Sequence, residues 1–277
     1  MRPCSPVGVR LDTTARTWLA ATVLSATLVL SCGEYGYDVT TERIPIPIGQ
    51  STVDLVVHRA DEPGLAYLNL HDDENTSVLA ALALARMDGG VVYELQHDGS
   101  RNLTFQLNDS SYTVDPNRIF TDRGIDITLA RHGTTSTQAR DAVRSFADSL
   151  LSLVGFREMA VVVTIHNNSE EGYSALSYHE NGDLSSDARA VHLIPDEDPD
   201  DFFFVTTEAL YDTLRARDAN VVLQDNIFAQ DDGSLSILAG RDGIPYVNVE
   251  AQHDHVDAQR EMLALLHGVF VTESTRR

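Results

Sequence analysis

The sequence predicts an α/β fold with three layers, in which a mostly parallel or mixed central sheet carries helices on both faces. Apolar runs of strand length alternate along the chain with segments of helical periodicity. Some of these runs, such as MAVVVTI at 159–165, are apolar without alternation, which is typical of strands buried on both faces. In such sheets functional side chains gather beyond the ends of the strands.

The predicted strands are short runs rich in β-branched and aromatic residues, separated by Gly, Pro, Asn and Asp. In chain order they are Thr52–His58, Leu65–Leu70, Val91–Leu95, Leu103–Leu107, Ala160–Ile165, Val221–Gln224 and Tyr246–Val249. The predicted helices are segments with apolar residues at helical spacing. These are Ser77–Met87, Thr137–Val154, Thr207–Arg217 and Val256–Phe270.

The N-terminus has the features of a bacterial lipoprotein signal peptide covering residues 1–31. Arginines precede an apolar run from Trp18 to Leu30, and this run is too short for a membrane-spanning helix. Ser31 and Cys32 then resemble a lipobox, which predicts lipidation of Cys32. The alternative is a buried N-terminal helix. The lipobox reading implies an exported protein held at the bacterial cell envelope, in the periplasm or at the outer surface, with the membrane as a partner.

The remaining chain is predicted to form a tether with a first strand at 32–50 and a single domain at 51–277. Residues 33–50 are polar and then punctuated by proline, without helical periodicity. Hydrophobic residues make up 43% of the chain, which is enough for a buried core.

The net charge of −22 comes with 20 basic residues, all of them arginine. This composition argues against nucleic acid as a partner, because a polyanion needs a clustered basic surface. The chain has only two cysteines, Cys4 and Cys32, both near the N-terminus. A metal bound by the main domain must therefore be held by His, Asp and Glu.

Polar clusters directly follow several predicted strands. His71 and Glu74 follow LAYLNL, His166 follows VVVTI, and Glu250 follows YVNV. His and carboxylate side chains are the ligands of hydrolytic zinc sites, which keep one position for water. From spacing alone an alternative is equally acceptable: His71 caps the next helix, Asp72–Glu74 favour its N-terminus, and His166 bonds within a polar loop.

The segments LNLHDDENTS, DPNRIF, TIHNNS and YVNVEAQ resemble, in this order, the motifs of the zinc carboxypeptidase superfamily, including its aspartoacylase and succinylglutamate desuccinylase branch. The resemblance implies zinc as cofactor, with His71, Glu74 and His166 as ligands. It implies Asn117 and Arg118 as the binding residues for a substrate carboxylate. Glu250 becomes the catalytic base and Arg101 the residue that polarises the scissile carbonyl.

The sequence departs from the family in two places. Little chain follows Glu250, so the additional β domain of the aspartoacylase branch is not expected. No tyrosine lies at the separation from the base that digestive carboxypeptidases show, which affects carboxypeptidase specificity more than zinc hydrolysis.

Three further polar segments have simpler interpretations. His253, Asp254, His255 and Asp257 are read as the start of a surface helix, with a second ion as the alternative. The acidic run 196–201 is read as a solvated loop, since it lacks the ligand order of a calcium loop. Asp231-Asp232-Gly233 is read as a turn.

The expected function is zinc-dependent hydrolysis of an amide bond in a small peptide or N-acyl amino acid that carries a free carboxylate. A metal-dependent lipoprotein that binds carboxylates without catalysis is the alternative from another class. Glu250 favours the enzyme, because a binding site needs no base. An inactive structural lipoprotein would require the order of the motifs to be a coincidence.

Overall fold

The structure is a computed structural model that describes residues 36–133, 135–169 and 172–274. The predicted signal peptide and Cys32 lie outside these residues. The strands are β1 Val39–Ile48, β2 Ser51–Ala60, β3 Ala66–Asn69, β4 Val91–Gln96, β5 Leu103–Leu107, β6 Ser110–Val114, β7 Val162–Asn168, β8 Ala188–His192, β9 Phe202–Val205, β10 Val221–Gln224 and β11 Tyr246–Gln252. The helices are α1 Asn75–Asp88, α2 Asp122–Arg131, α3 Thr137–Val154, α4 Glu208–Arg215, α5 Leu235–Asp242 and α6 Val256–Ser274.

The central sheet has nine strands in the order β1-β2-β4-β3-β7-β11-β9-β10-β8. Its middle, β4-β3-β7-β11, is parallel throughout, whereas β1, β2 and β8 add antiparallel edges and β9 runs antiparallel to β11. Strands β5 and β6 form a separate hairpin. The predicted mixed α/β sheet is confirmed.

Buried side chains form one apolar cluster on each face of the sheet. On one face α2, α3, α5 and the β5-β6 hairpin contribute side chains such as Phe146 and Phe105. On the other face α1, α4 and α6 contribute Leu84, Leu214 and Leu266. This distribution confirms the three layers, because burial on both sides requires helices on both sides.

Strand β1 contains Pro45 and Pro47, which cannot donate backbone hydrogen bonds. Both are exposed, and β1 pairs only with β2 at the edge of the sheet. An edge strand tolerates proline because one side of its backbone needs no partner. Among the described residues, no helix has the length and apolarity needed to cross a membrane.

Candidate active site

Three parallel strands deliver the polar clusters to one edge of the sheet. His71 follows β3, His166 lies near the end of β7, and Glu250 lies near the end of β11. In the β7-β11 pair, Glu250 is the direct partner of His166. Strand β3 pairs with β7 at positions two and three residues before His166. Parallel neighbours end at the same edge, so the strand order itself brings these side chains together.

The side chains of His71, Glu74 and His166 form a tight cluster. Nδ1 of His71 lies 2.9 Å from Oε1 of Glu74 and 3.1 Å from Nδ1 of His166, which lies 2.8 Å from Oε2 of Glu74. All three residues are buried, with exposed fractions of 1%, 1% and 3%. The cluster therefore presents two imidazole nitrogens and one carboxylate to a single point.

Glu74 stands at the N-cap position of α1, yet its side chain makes no capping hydrogen bond. It turns instead toward the two imidazoles. Asp72 does not serve the helix either, because its Oδ2 accepts hydrogen bonds from the backbone of His97 and Gly99, each at 2.7 Å. Glu74 and Asp72 therefore direct their side chains to partners other than the backbone N–H groups of α1.

Two charged side chains next to the cluster, Asp115 and Arg101, contact His71 and Glu74. Oδ1 of Asp115 lies 2.9 Å from Nε2 of His71, and a guanidinium nitrogen of Arg101 donates to Oε1 of Glu74. Burial opposes the charged imidazolium, but the carboxylates of Glu74 and Asp115 raise the pKa of His71 to about 9. Burial likewise opposes the charged carboxylate of Glu74, yet the two histidines hold its pKa well below the usual range.

The donor set fits a zinc ion. Two ring nitrogens 3.1 Å apart cannot both present lone pairs to each other, so either a proton or a cation must lie between them. A carboxylate at 2.8–2.9 Å from both nitrogens completes the His₂Glu set of hydrolytic zinc sites. Asp115 supplies the outer hydrogen bond that zinc-ligating histidines usually make.

Glu250 is a buried carboxylate beside this cluster. It accepts a hydrogen bond from Nδ2 of Asn248 at 2.9 Å and is 5% exposed. Burial raises the pKa of Glu250, and the charge of Glu74 acts in the same direction, whereas His166 and Asn248 lower it. A buried carboxylate of raised pKa is suited to accepting a proton near neutral pH.

One cavity of about 470 Å³ joins these groups to the predicted carboxylate-binding residues. His71, Glu74, His166, Arg101 and Glu250 line it, together with Asn117 and Arg118. Oδ1 of Asn117 accepts from the backbone of Leu235 at 3.1 Å, which ties the loop of Asn117 to the start of α5. The structure thus brings every predicted site residue within the described chain to a single cavity.

Sequence reasoning missed several residues of the site. Asp232 lies with its Oδ2 3.3 Å from Nε of Arg118. Tyr173 and Tyr178, whose hydroxyl oxygens lie 2.6 Å apart, also line the cavity. Asp115, also missed, directly precedes the Pro-Asn-Arg segment, and this position in the sequence could have indicated that it belongs to the site. Asp232 and the two tyrosines lie in loops whose position depends on the tertiary fold, so the sequence alone does not indicate them.

Gly233 explains how the Asp231-Asp232-Gly233 turn reaches Arg118. Its φ is +84°, and a Cβ there would lie 2.5 Å from both the carbonyl oxygen of Arg118 and Cα of Gly124. Only glycine allows this approach. The turn prediction agrees with the loop conformation, but the loop also forms a wall of the cavity.

The polar cluster 253–257 and the acidic run 196–201 lie next to each other in the fold. Ligand-type atoms of His255 lie within 4.8 Å of those of Asp198 and Asp201. A second such group comprises Asp72, which follows β3, and His97 and Asp98, which follow β4. Both groups are partly or fully exposed, unlike the His71, Glu74 and His166 cluster.

No family model and no curated protein matches this sequence. Among solved structures, the fold is similar to that of the murein-tripeptide amidase MpaA from Escherichia coli O157, at 15% identity over 83% of this chain and 91% of that chain, with a TM-score of 0.45. It is also similar to an aspartoacylase family protein from Mesorhizobium loti, at 15% identity over 83% of this chain and 67% of that chain, with a TM-score of 0.40. Likenesses of this size concern the fold alone.

Proposed function

We propose that this chain is a zinc-dependent hydrolase that cleaves an amide bond in a peptide or N-acyl amino acid bearing a free carboxylate. The observation that supports it most is the convergence of His71, Glu74 and His166 at 2.8–3.1 Å in a cavity that Glu250 and Arg118 also line. One molecule bound in this cavity can therefore contact a metal-binding cluster, a base and a cationic side chain that binds its carboxylate.

Amide hydrolysis needs a nucleophile at neutral pH and stabilisation of the negative charge that develops on the carbonyl oxygen. His71, Glu74 and His166 would hold the zinc ion, which when bound would supply both, because zinc lowers the pKa of a water from 15.7 to about 7 and acts as a Lewis acid. Asp115 keeps a proton on Nε2 of His71 and so leaves Nδ1 free to act as a ligand.

Glu250 is the proton carrier in this proposal. Its carboxylate takes a proton from the attacking water and passes it to the leaving nitrogen. Arg101 stabilises the developing oxyanion, because its guanidinium stays charged at every working pH and its side chain lines the cavity. Its contact with Glu74 holds it next to the cluster.

Arg118 and Asn117 bind the substrate carboxylate. Nη1 of Arg118 donates to the carbonyl oxygen of Asn117 at 2.8 Å, and Nε faces Asp232. The outer N–H groups of the guanidinium remain for a ligand. Asn117 uses its Oδ1 for Leu235, so its amide nitrogen is the group left to donate.

The cell envelope is part of the proposal and is supported by the sequence alone. Arg2, Arg10 and Arg16 precede the apolar run, and Ser31-Cys32 ends it. A lipoprotein at the envelope meets peptides of the cell wall and peptides that enter from outside, which agrees with an amide hydrolase.

The proposal is tested by metal analysis of the purified protein together with hydrolysis of a panel of peptides and N-acyl amino acids, each with its carboxylate free or amidated. We expect about one zinc per chain, and cleavage only of members with a free carboxylate. Metal-dependent tight binding of the panel without any cleavage would instead support the carboxylate-binding protein. Folded, active protein without metal would contradict the zinc site.

A further inference from the structure

The carboxylate-binding arginine is not an isolated cation. Oδ2 of Asp232 lies 3.3 Å from Nε of Arg118, and both side chains line the cavity. They are 43% and 31% exposed, so a ligand in the cavity can reach both of them. Oδ1 of Asp232 accepts from the backbone of Ser234 at 2.9 Å, which fixes the direction of the carboxylate.

This pairing matters for the charge of the ligand. A substrate carboxylate that binds Arg118 also comes close to Asp232, and like charges repel strongly where water is partly excluded. A ligand that carries only a carboxylate therefore leaves one negative charge uncompensated. In a ligand that carries a cation beside its carboxylate, the carboxylate compensates the charge of Arg118 and the cation compensates the charge of Asp232.

A second carboxylate strengthens the negative field of this wall. Asp187 lines the same cavity, and its Oδ1 accepts a hydrogen bond from the backbone of Gln230 at 2.8 Å. Gln230 lies in the segment that also carries Asp232. This wall thus has two carboxylates against one arginine, while Arg101 is held by Glu74.

We infer that the residue carrying the free carboxylate of the substrate also carries a cationic group, an ammonium or a guanidinium, which Asp232 binds with support from Asp187. This inference rests on the proposed function and narrows its substrate class to zwitterionic terminal residues. It assigns Asp232 as a specificity-determining residue, because a neutral terminal residue gains nothing from it and an anionic one is repelled.

The test compares peptides with a free carboxylate that end in lysine, in norleucine or in glutamate. Norleucine has a straight side chain close in length to that of lysine without the ammonium. We expect kcat/KM for the lysine peptide to exceed that for the norleucine peptide by about tenfold or more, and the glutamate peptide to be the poorest substrate. Equal rates for lysine and norleucine would overturn the inference.

Substitution of Asp232 separates recognition of the ligand from support of Arg118. Asp232→Asn should lower the lysine-to-norleucine ratio of kcat/KM to about one, and Asp232→Glu should restore part of the preference. A purely structural role would instead lower both rates equally. Asp231→Asn is the matched control, because Asp231 is the adjacent carboxylate of the same turn, pairs with Arg241 at 2.9 Å and is not among the cavity-lining residues.

Calorimetry with zinc-loaded Glu250→Gln protein makes the result independent of turnover. Tighter binding of the lysine peptide than of the norleucine peptide, without hydrolysis by wild type, would reject the hydrolase and keep the inferred ligand class. Hydrolysis with no preference in rate or binding would keep the hydrolase and reject the inference. Cleavage of the norleucine peptide without binding or cleavage of the lysine peptide would likewise keep the hydrolase and reject the inference.

Discussion

Asp115 accepts a hydrogen bond from Nε2 of His71 at 2.9 Å, on the opposite side of the ring from the nitrogen that faces Glu74. The same Oδ1 accepts from the backbone of Asn117 at 2.8 Å. One carboxylate oxygen therefore connects the metal-binding cluster with the segment that carries the carboxylate-binding residues.

The first prediction concerns this connection. Asp115→Asn retains an oxygen acceptor but removes the negative charge, so His71 becomes a weaker ligand and zinc affinity should fall by about 10–100-fold. Competition with a chromogenic chelator at fixed pH measures this change. Asp109→Asn, an exposed carboxylate in the β5-β6 hairpin, should leave the affinity unchanged. Equal affinities for Asp115→Asn and wild type would contradict the role of Asp115.

The second prediction follows from the environment of Glu250. Burial raises the pKa of this carboxyl, and the hydrogen bond from Asn248 opposes the rise. The base works only when ionised, so activity should be lost as pH falls through a pKa above the ordinary glutamate range of about 4.3. Asn248→Leu removes a donor that stabilises the charged form, so the acidic limb of kcat/KM should move to higher pH.

Thr164→Val is the control for this shift. Oγ1 of Thr164 donates to Oδ1 of Asn248 at 3.2 Å, whereas the donor to Glu250 is Nδ2 of Asn248, so the substitution leaves the donor of Glu250 in place. Its acidic limb should stay where the wild type has it. An acidic limb at the same pH in Asn248→Leu and wild type would show that Glu250 does not set it.

Local sequence patterns predicted those strands and helices whose hydrophobic pattern is continuous and whose ends carry turn or capping residues. The ranges of β5, β10 and α3 agree with the sequence predictions at both ends, because each is bounded by turn residues or caps. Ser136, for example, accepts the backbone N–H of Ala139 at the start of α3, and Gly155 adopts φ +70° at its end. Capping residues act on the adjacent backbone, so the sequence alone can predict where such a helix begins and ends.

The elements that were missed depend on the tertiary fold. Strand β9 is only Phe202–Val205, follows an acidic run and is defined by its pairing with β10 and β11. Helix α2 contains Gly124, which packs against Gly233, so its helical signal is weak in sequence. The same limit applies to Asp232, which meets Arg118 only because distant segments pack together.

The third prediction concerns the N-terminus. If Cys32 is acylated after processing, the protein should fractionate with membranes, and Cys32→Ala should release it or leave it unprocessed. Fractionation and mass determination of the N-terminus measure both outcomes, with Cys4→Ala as the control. Wild-type protein in the soluble fraction that retains Met1 would contradict lipidation.

The fourth prediction concerns carboxylate recognition. Arg118→Lys keeps the charge but loses the planar set of donors, so KM for substrates with a free carboxylate should rise by about tenfold or more, with a smaller change in kcat. Arg123→Lys, an exposed arginine at the start of α2, is the matched control. An unchanged KM would exclude Arg118 from carboxylate binding.

The last prediction separates catalysis from binding and concerns Glu250. Glu250→Gln retains the size of the side chain and removes its capacity to accept a proton. Since Glu250 is distinct from His71, Glu74 and His166, zinc content should remain at about one per chain and peptide affinity should change little. The rate should nevertheless fall by about 10²–10⁴, the range for loss of a general base.

Glu261→Gln is the control for this experiment, because Glu261 is an exposed carboxylate of α6. Zinc content, peptide affinity and single-turnover rate should be measured on the same preparations. Loss of zinc in Glu250→Gln would indicate that Glu250 helps to hold the ion, and the fall in rate would then say nothing about proton transfer. Hydrolysis at the wild-type rate with zinc retained would exclude Glu250 as the base, because a glutamine side chain cannot take a proton from the attacking water.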